Sequence, residues 1–250
     1  MSVIRHIKAN QDMQFQAKLL NGIIYTQRGN QQLEMSLLLP WNAGFCECSQ
    51  IYPAIVFIQG SGWTTPQLGF QIPQLSDFAR KGYIVASISH RSCLDGWSFP
   101  ACLQDVKCAI RYLRRMKDIY HIDDRKIAVW GTSSGGNLAL LAGLTGDYEK
   151  YKTKEYFELS DQVQAVVSCF GATDMSALYK ELSDMPEIRK RFDMLVGEKN
   201  EDREKRLREM SPVYQIKKNK MYPPFLLMHG TEDNAIPFSQ MVRLYDTLSN

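Results

Sequence analysis

The chain has 250 residues, of which 44% are hydrophobic, and its formal net charge is +3. This length suits one well-buried core, so a single domain over residues 1–250 is expected. So mild a charge balance argues against a nucleic-acid surface, which needs clustered basic residues. No apolar run approaches the ~20 residues of a membrane span, and residues 1–18 lack the apolar core of a secretory signal. The cytoplasm is therefore the predicted compartment.

Strand-like runs alternate with helix-like runs, which is the pattern of an α/β fold with a largely parallel sheet. Short, continuous apolar runs such as 54–58 suit strands that are buried on both faces. The strands are predicted at 22–26, 33–39, 54–58, 83–88, 127–130, 163–169 and 224–228. Helices are predicted at 101–116, 137–144 and 239–248.

Two charged regions carry their own predictions. The basic run 111–117 is interspersed with apolar residues, which favours the solvent face of an amphipathic helix over a docking patch. Residues 176–220, between the last two predicted strands, are charged and helical in pattern. They form either a solvated excursion or a small cap over an active site, because such insertions often determine substrate choice.

The six cysteines are expected to be reduced thiols, as is usual in the cytoplasm. Cys46 and Cys48 form a C-x-C pair, but no histidine or second cysteine pair lies near them in sequence. Free loop thiols are therefore favoured over a zinc site.

Residues 131–135, Gly-Thr-Ser-Ser-Gly, match the pattern G-x-S-x-G. They follow a predicted strand and precede a predicted helix, which is the context that a nucleophile elbow requires. The serine must project from a tight, strained turn, and small flanking residues let the strand and helix approach closely. Ser133 is therefore the predicted nucleophile, with the Ser134 backbone N–H aimed at a developing oxyanion. A glycine-rich turn that merely joins strand to helix is the alternative.

A second glycine-rich loop, Gln-Gly-Ser-Gly-Trp at 59–63, follows the buried strand 54–58. Such a loop can turn backbone N–H groups toward a tetrahedral intermediate, where each donor is worth roughly 3 kcal/mol. A plain tight turn is the other interpretation.

From about residue 22 onward, these motifs together resemble the esterase and lipase branch of the α/β-hydrolase family. This branch contains hormone-sensitive-lipase-like enzymes and bacterial acetyl-xylan and feruloyl esterases. The loop 59–63 is similar to the family's H-G-G-G-W loop, with Gln59 in place of the His and Ser61 in place of the middle Gly. Segment 123–136 resembles the family's elbow, and 229–233, His-Gly-Thr-Glu-Asp, resembles its acid loop.

The resemblance implies an α/β-hydrolase fold and hydrolysis of carboxylic esters with small acyl groups through an acyl-serine intermediate. Its oxyanion donors would be the backbone N–H groups of Ser61, Gly62 and Ser134. No metal or organic cofactor is implied, and the expected partner is a small-molecule ester. Trp63 and Trp97 are candidates for lining the pocket or for the core, and a homodimer remains open.

By the same resemblance, Asp233 is the triad acid, which would hold an imidazole in the correct tautomer. Asp174, after the preceding strand, is the second choice. A turn-capping aspartate is the alternative role for Asp233.

The fold places its catalytic residues in the order Ser, acid, His, but no histidine follows Asp233. The four histidines are expected to be structural: His6, His90, His121 and His229. Three interpretations follow: a truncated esterase lacking its last strand, a complete chain that lost its base, or an unusual site in which His90 or His229 serves as the base, within one chain or across a dimer. A peptidase or amidase of this fold and a non-enzymatic binding protein are the remaining alternatives.

Overall fold

The computed structural model describes residues 16–43, 50–182, 186–197 and 202–249. Its strands are β1 (Ala17–Arg28), β2 (Gln31–Pro40), β3 (Tyr52–Ile58), β4 (Ile84–Ile88), β5 (Ile122–Thr132), β6 (Ala165–Cys169) and β7 (Phe225–Met228). Its helices are α1 (Ile72–Arg80), α2 (Ala101–Arg115), α3 (Lys117–Tyr120), α4 (Ser134–Leu144), α5 (Met175–Glu181), α6 (Pro186–Val196), α7 (Arg203–Glu209) and α8 (Ser239–Ser249). Every predicted strand and helix is present, although the bounds differ by a few residues.

The strands form one sheet in the order β1-β2-β4-β3-β5-β6-β7. β1 pairs antiparallel with β2, and β2 pairs antiparallel with β4, while the other pairings are parallel. The carboxyl ends of the parallel strands therefore meet at one edge of the sheet, where α/β proteins bind their ligands. The predicted loops after β3, β5 and β7 all leave the sheet at this edge.

Both faces of the sheet are covered. Because successive residues of β3 point to opposite faces, they contribute to two separate clusters. Ile55 and Phe57 pack with Leu75 of α1 in one cluster, whereas Val56 and Ile58 belong to the larger core on the other face. The sequence patterns did not predict α1. Only Leu75 and Ala79 of this helix are buried, so its apolar stripe is too short to stand out.

Helix α4 lies in the middle of the larger core, and all of its residues are buried. A helix that is apolar all round is suited to such a position. At Gly143 an added Cβ would lie 2.4 Å from Cγ2 of Val166, so the helix packs directly on β6. The residue immediately before α4 is thereby fixed relative to the sheet.

The prediction that the basic run 111–117 faces solvent is wrong for its first member. Arg111 is fully buried, and its Nη1 lies 3.1 Å from Oδ2 of Asp161. Lys107 on the same helix is also fully buried, and its Nζ lies 2.6 Å from the other oxygen of Asp161. A buried charge is tolerated when it is paired and hydrogen-bonded, which a sequence pattern does not reveal.

Strand β7 lies at the end of the sheet that is opposite to β1. Leu226 is 55% exposed and Met228 is 52% exposed, so one face of this short strand is open over the part of the chain that the structure describes. This end of the sheet is far less covered than the centre.

Two further features bear on the composition-based predictions. None of the helices in the described ranges has the length and apolar character needed to cross a bilayer. Cys93, Cys102, Cys108 and Cys169 are free thiols. The Cys46 and Cys48 pair and His6 lie outside the described residues.

Candidate active site

Ser133 occupies the turn between β5 and α4 with φ 51° and ψ −121°. A non-glycine residue rarely adopts positive φ, and such a strained residue persists only where its surroundings hold it. The Ser133 N–H donates to the Cys169 carbonyl at 2.9 Å, which ties the turn to the end of β6. The Ser133 side chain remains partly exposed.

The glycines around Ser133 permit this turn for a steric reason. A Cβ on Gly131 would lie 2.0 Å from the carbonyl oxygen of Gly135, and a Cβ on Gly135 would lie 2.1 Å from that of Ile58. No side chain fits at such distances. The small flanking residues therefore allow α4 to start against β5 and β3, as the motif requires.

The loop after β3 is hydrogen-bonded to the elbow at two points. The Gly60 N–H donates to Oγ1 of Thr132 at 2.9 Å. The Ser61 N–H donates to Oγ of Ser134 at 3.0 Å. The structure thus brings together the two glycine-rich segments that the sequence singles out.

The three predicted oxyanion donors differ in this arrangement. The Ser61 N–H donates to the Ser134 hydroxyl, as described above, so it already has an acceptor. The Gly62 N–H has no hydrogen-bond partner among the described residues. Ser134 is the first residue of α4, so its own N–H has no acceptor within the helix. Two N–H groups are therefore free to bind an oxyanion, and the third is engaged.

Asp233 lies in the loop between β7 and α8, and its carboxylate is bound within that loop. Its Oδ1 accepts hydrogen bonds from the N–H groups of Ala235 and Ile236, both at 2.9 Å. Its Oδ2 lies 3.4 Å from Nε2 of His229. The same His229 nitrogen lies 2.7 Å from the Ile236 carbonyl oxygen. His229 therefore braces the acid loop.

Asp174, the second-choice acid, has a structural role. Its Oδ1 accepts a hydrogen bond from the Ala177 N–H at 3.0 Å and so caps the N-terminus of α5. Its Oδ2 lies 3.2 Å from Nη1 of Arg243 on α8. One oxygen thus caps α5 and the other joins this cap to α8.

No hydrogen bond within the described ranges joins a histidine to Ser133 Oγ. His90 is fully buried at the end of β4, its Nδ1 lies 2.9 Å from the Arg91 carbonyl oxygen, and burial lowers its pKa. His121 directly precedes β5 and so lies at the opposite end of that strand from the elbow.

The two tryptophans occupy different environments. Trp63 is buried and packs edge-on against Phe192 of α6, with ring centroids 5.3 Å apart. Trp97 is 37% exposed, and the Arg91 guanidinium lies 4.7 Å from its ring centroid.

One residue beside the predicted oxyanion loop was not singled out by the sequence reasoning. Arg191 of α6 places its Nη1 3.2 Å from the point that a Cβ on Gly62 would occupy. The basic run 189–191 was the available signal, but it is not distinguishable by sequence from a solvated helix face.

Residues 46–248 match the model of the BD-FAE family. Esterase LipC of Mycobacterium tuberculosis (strain ATCC 25618 / H37Rv) is 34% identical over 194 residues, covering 75% of this chain and 46% of LipC. The probable carboxylic ester hydrolase LipM of the same strain is 29% identical over 212 residues, covering 83% of this chain and 47% of LipM. The chain thus spans about half the length of these curated relatives.

A truncated form of a carbohydrate esterase from gut microbiota has a similar structure, with a TM-score of 0.75 and 27% identity. The match covers 97% of this chain and 87% of that one. The predicted α/β-hydrolase fold and the esterase-branch resemblance are confirmed. On its family match, this chain belongs to the BD-FAE family.

Proposed function

We propose that this chain carries a serine esterase site that cleaves carboxylic esters of small acyl groups through an acyl-Ser133 intermediate. The observation that carries the proposal is the strained Ser133 turn, together with the unengaged N–H groups of Ser134, which follows it, and of Gly62, in the loop that is hydrogen-bonded to the turn. The relatives named esterases support it.

In the proposed reaction, Ser133 Oγ attacks the ester carbonyl and gives its proton to a base. The carbonyl oxygen becomes an oxyanion, which the N–H groups of Gly62 and Ser134 stabilise. Rotation of the Ser134 hydroxyl would release the Ser61 N–H as a third donor. The alcohol then leaves with a proton, and water hydrolyses the acyl-serine ester.

Asp233 is the proposed acid, whose role is to orient the imidazole of the base and to stabilise its charged form. Its loop leaves the sheet at the same edge as the elbow. His90 and His229 are at that edge too, but both are held by the contacts described above. The source of the base is therefore the part of the proposal that an experiment should address directly.

The test is hydrolysis of p-nitrophenyl acetate by the 250-residue chain and by its Ser133→Ala variant, each with and without imidazole. Dissolved imidazole supplies a base without altering the protein. The rate with the Ser133→Ala variant gives the direct reaction of imidazole with the substrate, which is subtracted. We expect Ser133-dependent hydrolysis that increases with imidazole concentration. Ser133-dependent hydrolysis that needs no imidazole would also support the esterase site, and His90→Gln and His229→Gln would then locate the base. Equal rates for the two folded proteins at all concentrations would contradict the proposal.

The remaining proposals concern the setting of the site. Residues 176–220, which include α6 and α7, act as a cap within one domain over residues 1–250. The protein works in the cytoplasm, as a monomer or a homodimer, on small-molecule esters.

A further inference from the structure

The position of Arg191 is determined by its neighbour in α6. Phe192 is buried, and its ring packs edge-on against Trp63 with the centroids 5.3 Å apart. Trp63 directly follows Gly62 in the loop that supplies the proposed oxyanion donors. Docking of Phe192 therefore carries the adjacent guanidinium to Gly62, where Nη1 lies 3.2 Å from the site of an added Cβ. The contact between cap and loop is thus built on a buried aromatic pair.

Arg191 is available to an external ligand. Its side chain is exposed, and no ion pair or hydrogen bond joins it to another residue in the described ranges. Arg203, by contrast, lies 2.8 Å from the Asp193 carboxylate, so that cation has a partner. A guanidinium that ends beside Gly62 without a carboxylate partner is suited to bind an anion, because its N–H groups form a rigid fork that matches carboxylate geometry.

The same cap borders a cavity of about 700 Å³ between α6, α7 and the segment after β4. Lys190 and Arg206 line it, and neither has a carboxylate partner among the described residues. Asp193, which also lines it, is paired with Arg203. The cavity wall therefore carries an excess of positive charge.

Cys93 connects this cavity to the loop that holds Gly62. It lines the cavity, and its N–H donates to the Trp63 carbonyl at 3.0 Å. Burial raises the pKa of its thiol, and the positive charge of Arg191 partly opposes that rise, as expected for a nearby cation. Cys93 therefore joins the wall of this basic cavity to the loop that Arg191 approaches.

Building on the proposed esterase function, we propose that this site selects esters that carry a carboxylate, with Arg191 as the residue that binds that group. Lys190 and Arg206 favour the same charge in the cavity through their positive field. The substrate class is therefore the monoester of a dicarboxylic acid or another ester with an acidic substituent. A carboxylate near the scissile ester would reach Arg191 while the carbonyl oxygen faces Gly62.

The test compares two probes that differ in charge, monomethyl succinate and dimethyl succinate, by NMR titration of the Ser133→Ala protein. This variant prevents hydrolysis, so binding is measured independently of turnover. We expect the monoanion to bind more tightly than the diester. Adding Arg191→Gln should weaken the monoanion about ten-fold and leave the diester unchanged, because only the charged probe gains a charge-assisted hydrogen bond. Arg191→Lys should restore part of the loss, because it keeps the charge without the fork.

Lys205→Gln provides the matched control. Lys205 is exposed on α7 and is not among the residues that line the cavity, so this variant removes one positive charge from the same cap at another place. Thermal unfolding of each variant checks that the protein stays folded. Equal affinity for the two probes, or equal losses in the Arg191→Gln and Lys205→Gln proteins, would overturn the proposal. Preference for the monoanion without any esterase activity would support the anion site and contradict only the proposed hydrolysis.

Discussion

The nucleophile side and the acid side of the proposed site are held in different ways. Ser133 lies between the central strand β5 and the fully buried α4, and its N–H is bound by the neighbouring β6. Asp233 follows β7, the short strand at the end of the sheet, and its carboxylate is bound by Ala235, Ile236 and His229 of its own loop. Long-range packing fixes the first region, whereas hydrogen bonds within the loop fix the carboxylate of the second.

One site thus combines a strained residue, Ser133, with a loop that follows an edge strand and holds Asp233. The strained backbone of Ser133 persists only because the core surrounds it. The acid loop packs on the core through Ile236 but follows the short, half-exposed strand β7, so we expect it to be the part of the site that opens at lower free-energy cost. Substitutions of equal size should therefore have very unequal effects in the two regions.

The largest difference is expected between two glycine-to-alanine substitutions. Gly135→Ala places a Cβ 2.1 Å from the Ile58 carbonyl oxygen, so strand and helix must separate, and we expect a loss of more than about 3 kcal/mol in the free energy of unfolding. Gly230→Ala, in the acid loop, meets no atom within 4 Å and should change that value by less than about 0.5 kcal/mol. Urea unfolding of both variants measures the contrast. Similar losses for the two would show that the regions are held alike.

A smaller, local effect is expected for Asp233→Ala. The change removes the acceptor for the Ala235 and Ile236 N–H groups, which should destabilise the loop by about 1–2 kcal/mol. Hydrogen exchange should become faster at those two amides and remain unchanged at the Ser133 amide. Asp233→Asn is the control, because its side-chain oxygen can still accept both bonds. Faster exchange at Ser133 in the alanine variant would mean that the acid loop supports the elbow.

The smallest expected effect is a change of the free energy of unfolding with pH, caused by His90. Burial lowers the pKa of His90 below its usual 6.5, so in acid the unfolded chain binds a proton that the folded chain resists. Stability is therefore retained above pH 6.5 and lost as the pH falls from there toward the folded pKa. The slope due to one such group is at most about 1.4 kcal/mol per pH unit. Urea unfolding between pH 7 and pH 5 should show a weaker dependence for His90→Asn than for the unsubstituted chain, and equal slopes would exclude His90 as the cause.

The sequence was sufficient for features that depend on local pattern. The elbow at Ser133 and the strand before it were predicted, because a glycine-flanked serine after an apolar run has few other uses. The hydrogen bond from the Ser61 N–H to the Ser134 hydroxyl was not predicted, because the two residues are 73 positions apart in the chain. Burial of Arg111 and the approach of Arg191 to Gly62 also depend on partners that are distant in sequence. Patterns along the chain report periodicity, whereas these contacts depend on which elements meet.

The half-exposed Leu226 and Met228 of β7 have a consequence for handling the protein. An edge strand with apolar side chains presents both unpaired backbone hydrogen-bonding groups and exposed apolar surface to other molecules. Within the part of the chain that the structure describes, this strand is therefore suited to pairing with other copies in concentrated solution. The substitution Leu226→Lys would place a charge on this face, and lysines on edge strands are a common means by which β-proteins stay soluble.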